Sequence, residues 1–221
     1  MSTLTLAIDA STYAASVALI RGTEVLREKT VAMRDPRQEH LMPAIVACLE
    51  DVSVHALDRL VCGAGPGSFT SLRIAASIAK GLAVAANKPL FAVSSLLLLI
   101  AGMQSAPKHG RWLALLDAMR GEAFAQVIEV TSTEISEGSE LRVVRESEIE
   151  GLARTMRALT AGSGREVDAI PHARGVARLV RHAALDTPVD LAAWEPEYGR
   201  LAEAQVRWES VHGRSLDARR G

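Results

Sequence analysis

Gly63-Ala64-Gly65-Pro66-Gly67-Ser68-Phe69-Thr70-Ser71-Leu72-Arg73 is the stretch that decides how the rest of the chain is read. An apolar run, Leu60-Val61-Cys62, precedes it, and an alanine-rich segment reaching Ala86 follows. Strand, glycine turn and helix start is the simplest physical reading. Glycine permits positive φ and close backbone approach, and Pro66 fixes one φ within the turn. Ser68 or Thr70 is placed to cap the first helical turn, leaving backbone N–H groups at the positive end of a helix dipole. Such a turn either holds a phosphate or swings the chain tightly from strand to helix.

Before this stretch the chain opens with three strands rather than a β-α-β unit. They are Leu4 to Ile8, Ser16 to Ile20 and Glu24 to Lys29, with a hairpin turn at Arg21-Gly22-Thr23. That excludes a simple Rossmann start. Asp35-Pro36-Arg37-Gln38 has the pattern of a helix N-terminus, and Leu41, Ile45, Leu49 and Val52 follow at helical spacing, with Pro43 expected to kink the helix. Beyond the Ser68–Ala86 helix come a short strand, Lys88 to Val93, and a Leu-rich helix from Ser94. The order β-β-β-α-β-α-β-α is the repeating half of the actin-like, sugar-kinase-like and Hsp70-like ATPase architecture, a meander extended by parallel strands through helical crossovers.

A second half starts again with strands. Arg111 to Leu116 ends in Asp117 as Leu6-Ala7-Ile8 ends in Asp9, and Glu122 to Val130 follows the turn Ala118-Met119-Arg120-Gly121. The remainder reads as a polar turn, Thr131 to Gly138, a strand or extended connection at Leu141 to Val144, and a helix over Glu146–Leu159 interrupted by Gly151. A short strand into Gly162-Ser163-Gly164, a helix over Gly175–Ala184, an extended Trp194 to Tyr198 and a final helix over Leu201–Trp208 complete it. The expected fold is a duplicated α/β actin-like body: residues 1–102 as a first lobe, 103–200 as a smaller second lobe, and 201–221 as a helix and polar tail.

Bulk chemistry narrows the function. At 221 residues with 48% hydrophobic and 23% charged residues, the chain is a globular protein of one large domain or two small lobes. A net charge of -1 gives no global basic field for nucleic acid, so any RNA role depends on a partner. Aromatic content of 4% argues against base-stacking platforms. Cys48 and Cys62 lie in apolar contexts without a Cys-x-x-Cys, fitting buried thiols in a reducing compartment. No signal peptide is legible at the N-terminus, and Ser94 to Met103 is about half the length needed to cross a bilayer. A cytoplasmic protein is expected.

Candidate chemistry is sparse. Asp9, Ser11 and Thr12 follow the first strand where actin-like ATPases place an acid near metal and hydroxyls near phosphate, but the same residues make an ordinary Asx- or ST-turn. With Gly65, Pro66, Gly67 and Ser68 they form a candidate nucleotide or phosphate site that lacks the Walker lysine pattern. His40, His55, His109, His172, His182 and His212 show no zinc-binding spacing, and Gly-x-Ser-x-Gly is absent. Leu72, Ala75, Ala76, Ala79, Ala83 and Ala86 give the second helix a small-residue face, and Leu41, Ile45 and Leu49 stripe the first. Ordinary core and subunit interface both fit this apolar surface.

Together Ala7-Ile8-Asp9-Ala10-Ser11-Thr12, Glu39-His40-Leu41-Met42-Pro43, Gly65 to Ile74, Ala79-Lys80-Gly81-Leu82, Val93-Ser94-Ser95-Leu96 and Asp117 to Glu122 resemble the bacterial TsaB (YeaZ) family. The strong part spans Leu4 to about Gly102, and Trp194 to Arg200 resembles the family's C-terminal Pro-x-Tyr segment. The resemblance implies a catalytically silent actin-like protein with no catalytic residue, metal or cofactor of its own, ATP or ADP contact staying open. It implies a scaffold and activator for a TsaD-type threonylcarbamoyl transferase, joined by a TsaE-type ATPase, in making threonylcarbamoyladenosine on tRNA. Transfer RNA is met only through the complex, no membrane is involved, and a homodimer stays open for the isolated chain. The expected interface is His40, Leu41, Ile45, Leu49, Phe69, Leu72, Arg73, Ala76, Ala79, Lys80 and Ala83. Ser71 and Ala75 depart from the glycines usual in the family, which narrows the space beside the turn. The alternative is an ATP-dependent small-molecule kinase of the same superfamily. A peptidase reading, from old descriptions of related proteins, lacks a nucleophile, a base and a metal site. On balance the turn is read chiefly as aiming the interface helix.

Overall fold

The computed structural model of the chain describes residues 2–33 and 40–199. Two mixed sheets carry the fold. The first contains β1 (Leu4–Asp9), β2 (Ala14–Arg21), β3 (Glu24–Ala32), β4 (Arg59–Gly63) and β5 (Leu90–Val93) in the spatial order β3-β2-β1-β4-β5. The meander is antiparallel, and β4 and β5 add parallel to β1, Ala7 facing Val61 and Val61 facing Phe91 in register. The crossovers are α1 (Leu41–Leu49) and α2 (Phe69–Ala86), and α3 (Ser95–Ala101) follows β5.

The second sheet repeats the plan. It holds β6 (Gly110–Asp117), β7 (Glu122–Val130), β8 (Ile135–Glu137), β10 (Ala158–Gly162) and β11 (Val167–Asp168) in the order β11-β10-β6-β7-β8, with β9 (Arg142–Arg145) also on β7. β6 and β7 are antiparallel, and β10 and β11 run parallel to β6 and β10 respectively. Position for position this is the first sheet again, the meander followed by parallel strands, so the actin-like duplication is present. Helix α4 (Ile149–Met156) takes the place of α1. Where α2 would follow β10 there is only a short turn, which makes the second copy the reduced one.

Alternation of side chains along the strands divides the interior. Leu6, Ile8, Leu60 and Cys62 face α1 and α2, while Ala7, Val61, Phe91 and Val93 face α3. All seven residues of α3 are buried, because Leu96 to Ala101 is packed between the first sheet and Trp112, Leu116, Phe124 and Ile128 of the second. A helix enclosed on every side is apolar all round. Burying each of its leucines contributes about 2 kcal/mol. The two sheets therefore share one core.

Several expectations need correction. Pro43 introduces no interruption: α1 begins at Leu41, so Pro43 is its third residue, ahead of the first intrahelical donor, Ala44 N–H, which bonds His40 O at 3.2 Å. Gly151 does not break α4; the helix starts at Ile149 after a 3-10 turn over Glu146–Glu148. Thr131 to Gly138 contains the strand β8, and Leu141 to Val144 is largely β9. The helix expected over Gly175–Ala184 is two 3-10 turns, Ala173–Arg178 and Ala183–Leu185. Residues 172–198, assigned above to the second lobe, lie instead along the first sheet. Ala173 N–H donates to Ser16 Oγ at 2.9 Å, Val189 N–H to Leu90 O at 2.8 Å and Glu197 N–H to Ala64 O at 2.7 Å. Asp35 to Gln38, the final helix and the 201–221 tail lie outside the described residues.

Candidate functional site: the glycine turn and the outer helix face

Three amides tie the glycine turn to neighbouring chain. Ala64 N–H bonds Val93 O, Gly65 N–H bonds Ser95 Oγ at 3.1 Å, and Ser68 N–H bonds Ser11 O at 2.7 Å. The glycines serve close approach. A Cβ on Gly63 would overlap the Asp9 carboxylate, one on Gly67 would overlap Ser11 O, and one on Gly65 would overlap Glu197 O. Gly65 also sits at φ +93°, which only glycine adopts freely. Pro66, joined through a cis peptide bond, is buried. The Ala64, Gly65 and Ser68 amides thus hold the protein's own acceptors.

Asp9 is wholly buried at the end of β1. It accepts from Ser95 Oγ–H at 2.6 Å, Ser11 Oγ–H at 2.8 Å and Ser11 N–H at 3.0 Å. Burial holds its carboxyl above the usual carboxylate range, although the three donors pull the other way. Thr12 turns on its own loop, its hydroxyl donating to Ala14 O and accepting Ala14 N–H. Asp9 with Ser11 and Ser95 thus ties β1, the β1–β2 turn and the start of α3 together. Ser95 could not have been picked out from sequence, since it reaches Asp9 across 86 residues.

Helix α2 has Ser68 at its N-cap position, but its hydroxyl donates to Ser71 Oγ at 3.1 Å instead of capping the helix. Ser71 and Ala75, the departures from glycine, are both buried without difficulty, Ala75 within the helix–sheet core.

The expected interface splits in two. Leu41, Ile45, Leu49, Leu72, Ala76, Ala79 and Ala83 are all buried inside the chain's own core, so they are not the surface a partner meets. The apolar stripe of Leu41, Ile45, Leu49, Ala79 and Ala83 packs in the core under the first sheet. His40, Phe69, Arg73 and Lys80 reach solvent. The outward apolar residues are Met42 and Val46 on α1 and Phe69 and Val84 on α2, with Val46 58% and Val84 68% exposed. Phe69 is organised by its neighbours: Tyr198 stacks on it with ring centres 4.5 Å apart, and the Arg73 guanidinium lies 5.3 Å from its centre. Lys80 lies 5.7 Å from the Trp194 ring. Trp194 and Tyr198 thus seat the segment that covers the glycine turn, which carries no helix or strand of its own.

The duplicated position is unlike Asp9. Asp117 is exposed, and its Oδ1 accepts Met119 N–H at 2.7 Å in a turn where Met119, Arg120 and Gly121 all have positive φ. Among the described residues no group of three or more His, Cys, Asp or Glu side chains is placed to hold a metal. Cys48 and Cys62 are buried free thiols, and burial pushes both upward in pKa. His172 and His182 each cap a 3-10 turn through Nδ1. By length and composition α2 could cross a membrane, but its Leu72, Ala75, Ala79 and Ala83 line the core.

Comparisons with known proteins agree with this architecture. Residues 31–193 match the family model described as TsaD: tRNA N6-adenosine threonylcarbamoyltransferase. The Escherichia coli (strain K12) protein named tRNA threonylcarbamoyladenosine biosynthesis protein TsaB is 34% identical over 65% of this chain and 63% of its own length. Its Bacillus subtilis (strain 168) namesake is 27% identical over 92% of this chain and 96% of its own length. The match thus spans less than two thirds of the E. coli relative but nearly all of the B. subtilis one. A Pseudomonas aeruginosa crystal structure, described as an uncharacterized protein with similarity to peptidase YEAZ, superposes with a TM-score of 0.77 at 26% identity, covering 90% of this chain and 100% of the other. A second, YeaZ from Pseudomonas aeruginosa, gives 0.72 at 24% identity over 89% and 99%. The chain belongs to the TsaB/YeaZ family, inside the sequence group that the threonylcarbamoyltransferase model defines.

Proposed function

We propose that this chain is a non-catalytic subunit for threonylcarbamoyladenosine formation on tRNA, docking a TsaD-type transferase on the outer face of α1 and α2. The observation that carries the reading is the pair of exposed apolar helix faces, Met42 and Val46 on α1 and Phe69 and Val84 on α2, of which Val84 and Val46 are the most open. Relatives named for this biosynthesis supply the pathway. The commitment of Asp9 and of the Ala64, Gly65 and Ser68 amides to internal hydrogen bonds supports a scaffolding role over phosphoryl transfer. A TsaE-type ATPase and tRNA join through the complex, in the cytosol, and this chain needs no cofactor of its own.

Mixing the purified chain with a TsaD-type transferase, followed by sizing chromatography, tests the proposal. A stoichiometric complex is expected for the wild type and its loss for Val46→Asp and Val84→Asp, both of which fold normally. No complex with ATP, ADP or no nucleotide would overturn the reading. Phosphoryl transfer from MgATP to a small acceptor would replace it with the kinase alternative.

A further inference from the structure

We propose that Tyr198 is a positioning residue of the docking face: its ring, carried along the first sheet by residues 189–198, holds Phe69 in the orientation that the transferase meets. Resting on the docking reading above, this makes a second chain segment part of a face that α1 and α2 do not complete alone.

Phe69 is the first residue of α2 and is 38% exposed. With about 100° between successive residues, Phe69, Arg73, Lys80 and Val84 fall within about 60° of one another around the helix axis, so they form a single outward stripe. An exposed phenylalanine at a helix end turns between rotamers, and that freedom is lost when a partner closes over it. Here the ring is already restricted. Tyr198 lies against it with ring centres 4.5 Å apart and planes inclined at 49°, and the Arg73 guanidinium lies 5.3 Å from its centre. Both separations are those of attractive aromatic and cation–π contacts. Lys80, farther along the stripe, is placed in the same way, 5.7 Å from the Trp194 ring of the same segment.

Tyr198 can hold Phe69 because its own backbone is fixed on both sides. Before it, Glu197 N–H donates to Ala64 O at 2.7 Å, and Glu197 O packs on Gly65 too closely to admit a Cβ. After it, Gly199, at φ +68°, lies against the Phe124 ring of the second sheet, again with no room for a Cβ. Val189 N–H bonds Leu90 O at 2.8 Å, and Val189, Leu191 and Trp194 pack on the core of the first sheet. The glycine turn thus admits the seat from which Tyr198 reaches the helix. Glu195 and Glu197, exposed on the same segment, balance the charges of Arg73 and Lys80, so rings rather than net charge set the contact.

Titration calorimetry of the full chain with a TsaD-type transferase tests the assignment. Phe69→Ala is expected to raise Kd about tenfold and Tyr198→Ala about fivefold, while Tyr198→Phe, which keeps the ring, stays at the wild-type value. Because Tyr198 acts through Phe69, the double variant Phe69→Ala with Tyr198→Ala is expected to bind no more weakly than Phe69→Ala alone. Full affinity of Tyr198→Ala, alongside loss of binding in Val46→Asp, would overturn this proposal and leave the docking reading standing. Additive losses in the double variant would do the same, since Tyr198 would then act independently of Phe69. Absence of any complex with the wild-type chain overturns both. Should Tyr198→Ala fail to fold, Tyr198→Gln decides in its place, with the same expected losses.

Discussion

The two sheets repeat one strand order, yet the first copy carries an 18-residue helix after its β4 and the second, after β10, only a turn through Gly162-Ser163-Gly164. The strand order thus survives without the crossover helix, so the helix is not what holds the parallel strands in sequence. What differs is the fate of the surface. In the first copy α2 buries its alanine face on the sheet and leaves Val84 and Phe69 outside. In the second the uncovered end of β10 borders a cavity through Leu159. The acidic residue closing each first strand differs likewise, Asp9 buried with three donors and Asp117 exposed with one. The complete copy has spent its polar groups on rigidity and offers a helix face; the reduced copy keeps open edges.

Leu72→Asp against Leu159→Asp breaks this comparison most forcefully. A carboxylate at fully buried Leu72 costs more than about 4 kcal/mol and abolishes the thermal transition, whereas at half-open Leu159 the loss stays under about 1 kcal/mol. Leu72 is thus unsuitable as an interface probe, contrary to its place among the expected contacts; Ala79 fails for the same reason.

Next come the two buried histidines, His172 beside Thr30 of the first sheet and His182 beside Glu137 of the second, which respond to pH with opposite sign. Burial, aided by the Arg174 charge, pushes His172 down to about 4. Its folded pKa is below the unfolded value, so the stability it contributes is present above pH 6.5 and falls by about 3 kcal/mol as pH drops to 4. His182, bonded to Glu137 at 2.9 Å, is raised by that partner. Its contribution is full below its unfolded pKa and is lost as pH climbs through the folded one. Denaturant midpoints from pH 4 to 8 for wild type, His172→Gln and His182→Gln measure both. A flat difference profile for His172→Gln would refute the assignment.

Asp9→Ala leaves the buried Ser11 and Ser95 O–H donors without their acceptor and costs about 2 kcal/mol, against under about 1 kcal/mol for Asp117→Ala. Equal losses in urea titrations would show the two aspartates to be equivalent after all. Smallest in stability are Val46→Asp and Val84→Asp, within about 0.5 kcal/mol of wild type by the same titration, though the proposed docking face predicts that they abolish partner binding.

The first sheet and its crossovers were legible in the sequence because local signals agreed there: alternation in Leu4 to Ile8, the glycine turn, and alanine spacing in the second helix. The duplication was legible from Leu115-Leu116-Asp117 repeating a strand-then-acid pattern. The site was less so. Helical periodicity finds an apolar stripe but not which neighbour covers it, so Leu41 and Ala79 were assigned outward when the sheet claims them. Val46 lies beside the stripe and Val84 off it, and their exposure is visible only in three dimensions. The role of Ser95 at Asp9 and of Glu197 at Gly65 depends on contacts across 86 and 132 positions, for which no short-range pattern exists. The 3-10 turns near Ala173 and Ala183 have too few residues for periodicity to register.

The strap formed by residues 172–198 has a consequence for how the protein is made. Ser16, Leu90 and Ala64 wait for Ala173, Val189 and Glu197, which leave the ribosome only after every strand of both sheets has been synthesised. The amino-terminal half thus emerges early with its turn uncovered and is sealed late, by contacts of long sequence separation, which are slow to close. A nascent chain halted before Trp194 would display the glycine turn and the Phe69 ring bare, a state that a chaperone or a waiting partner subunit would meet first.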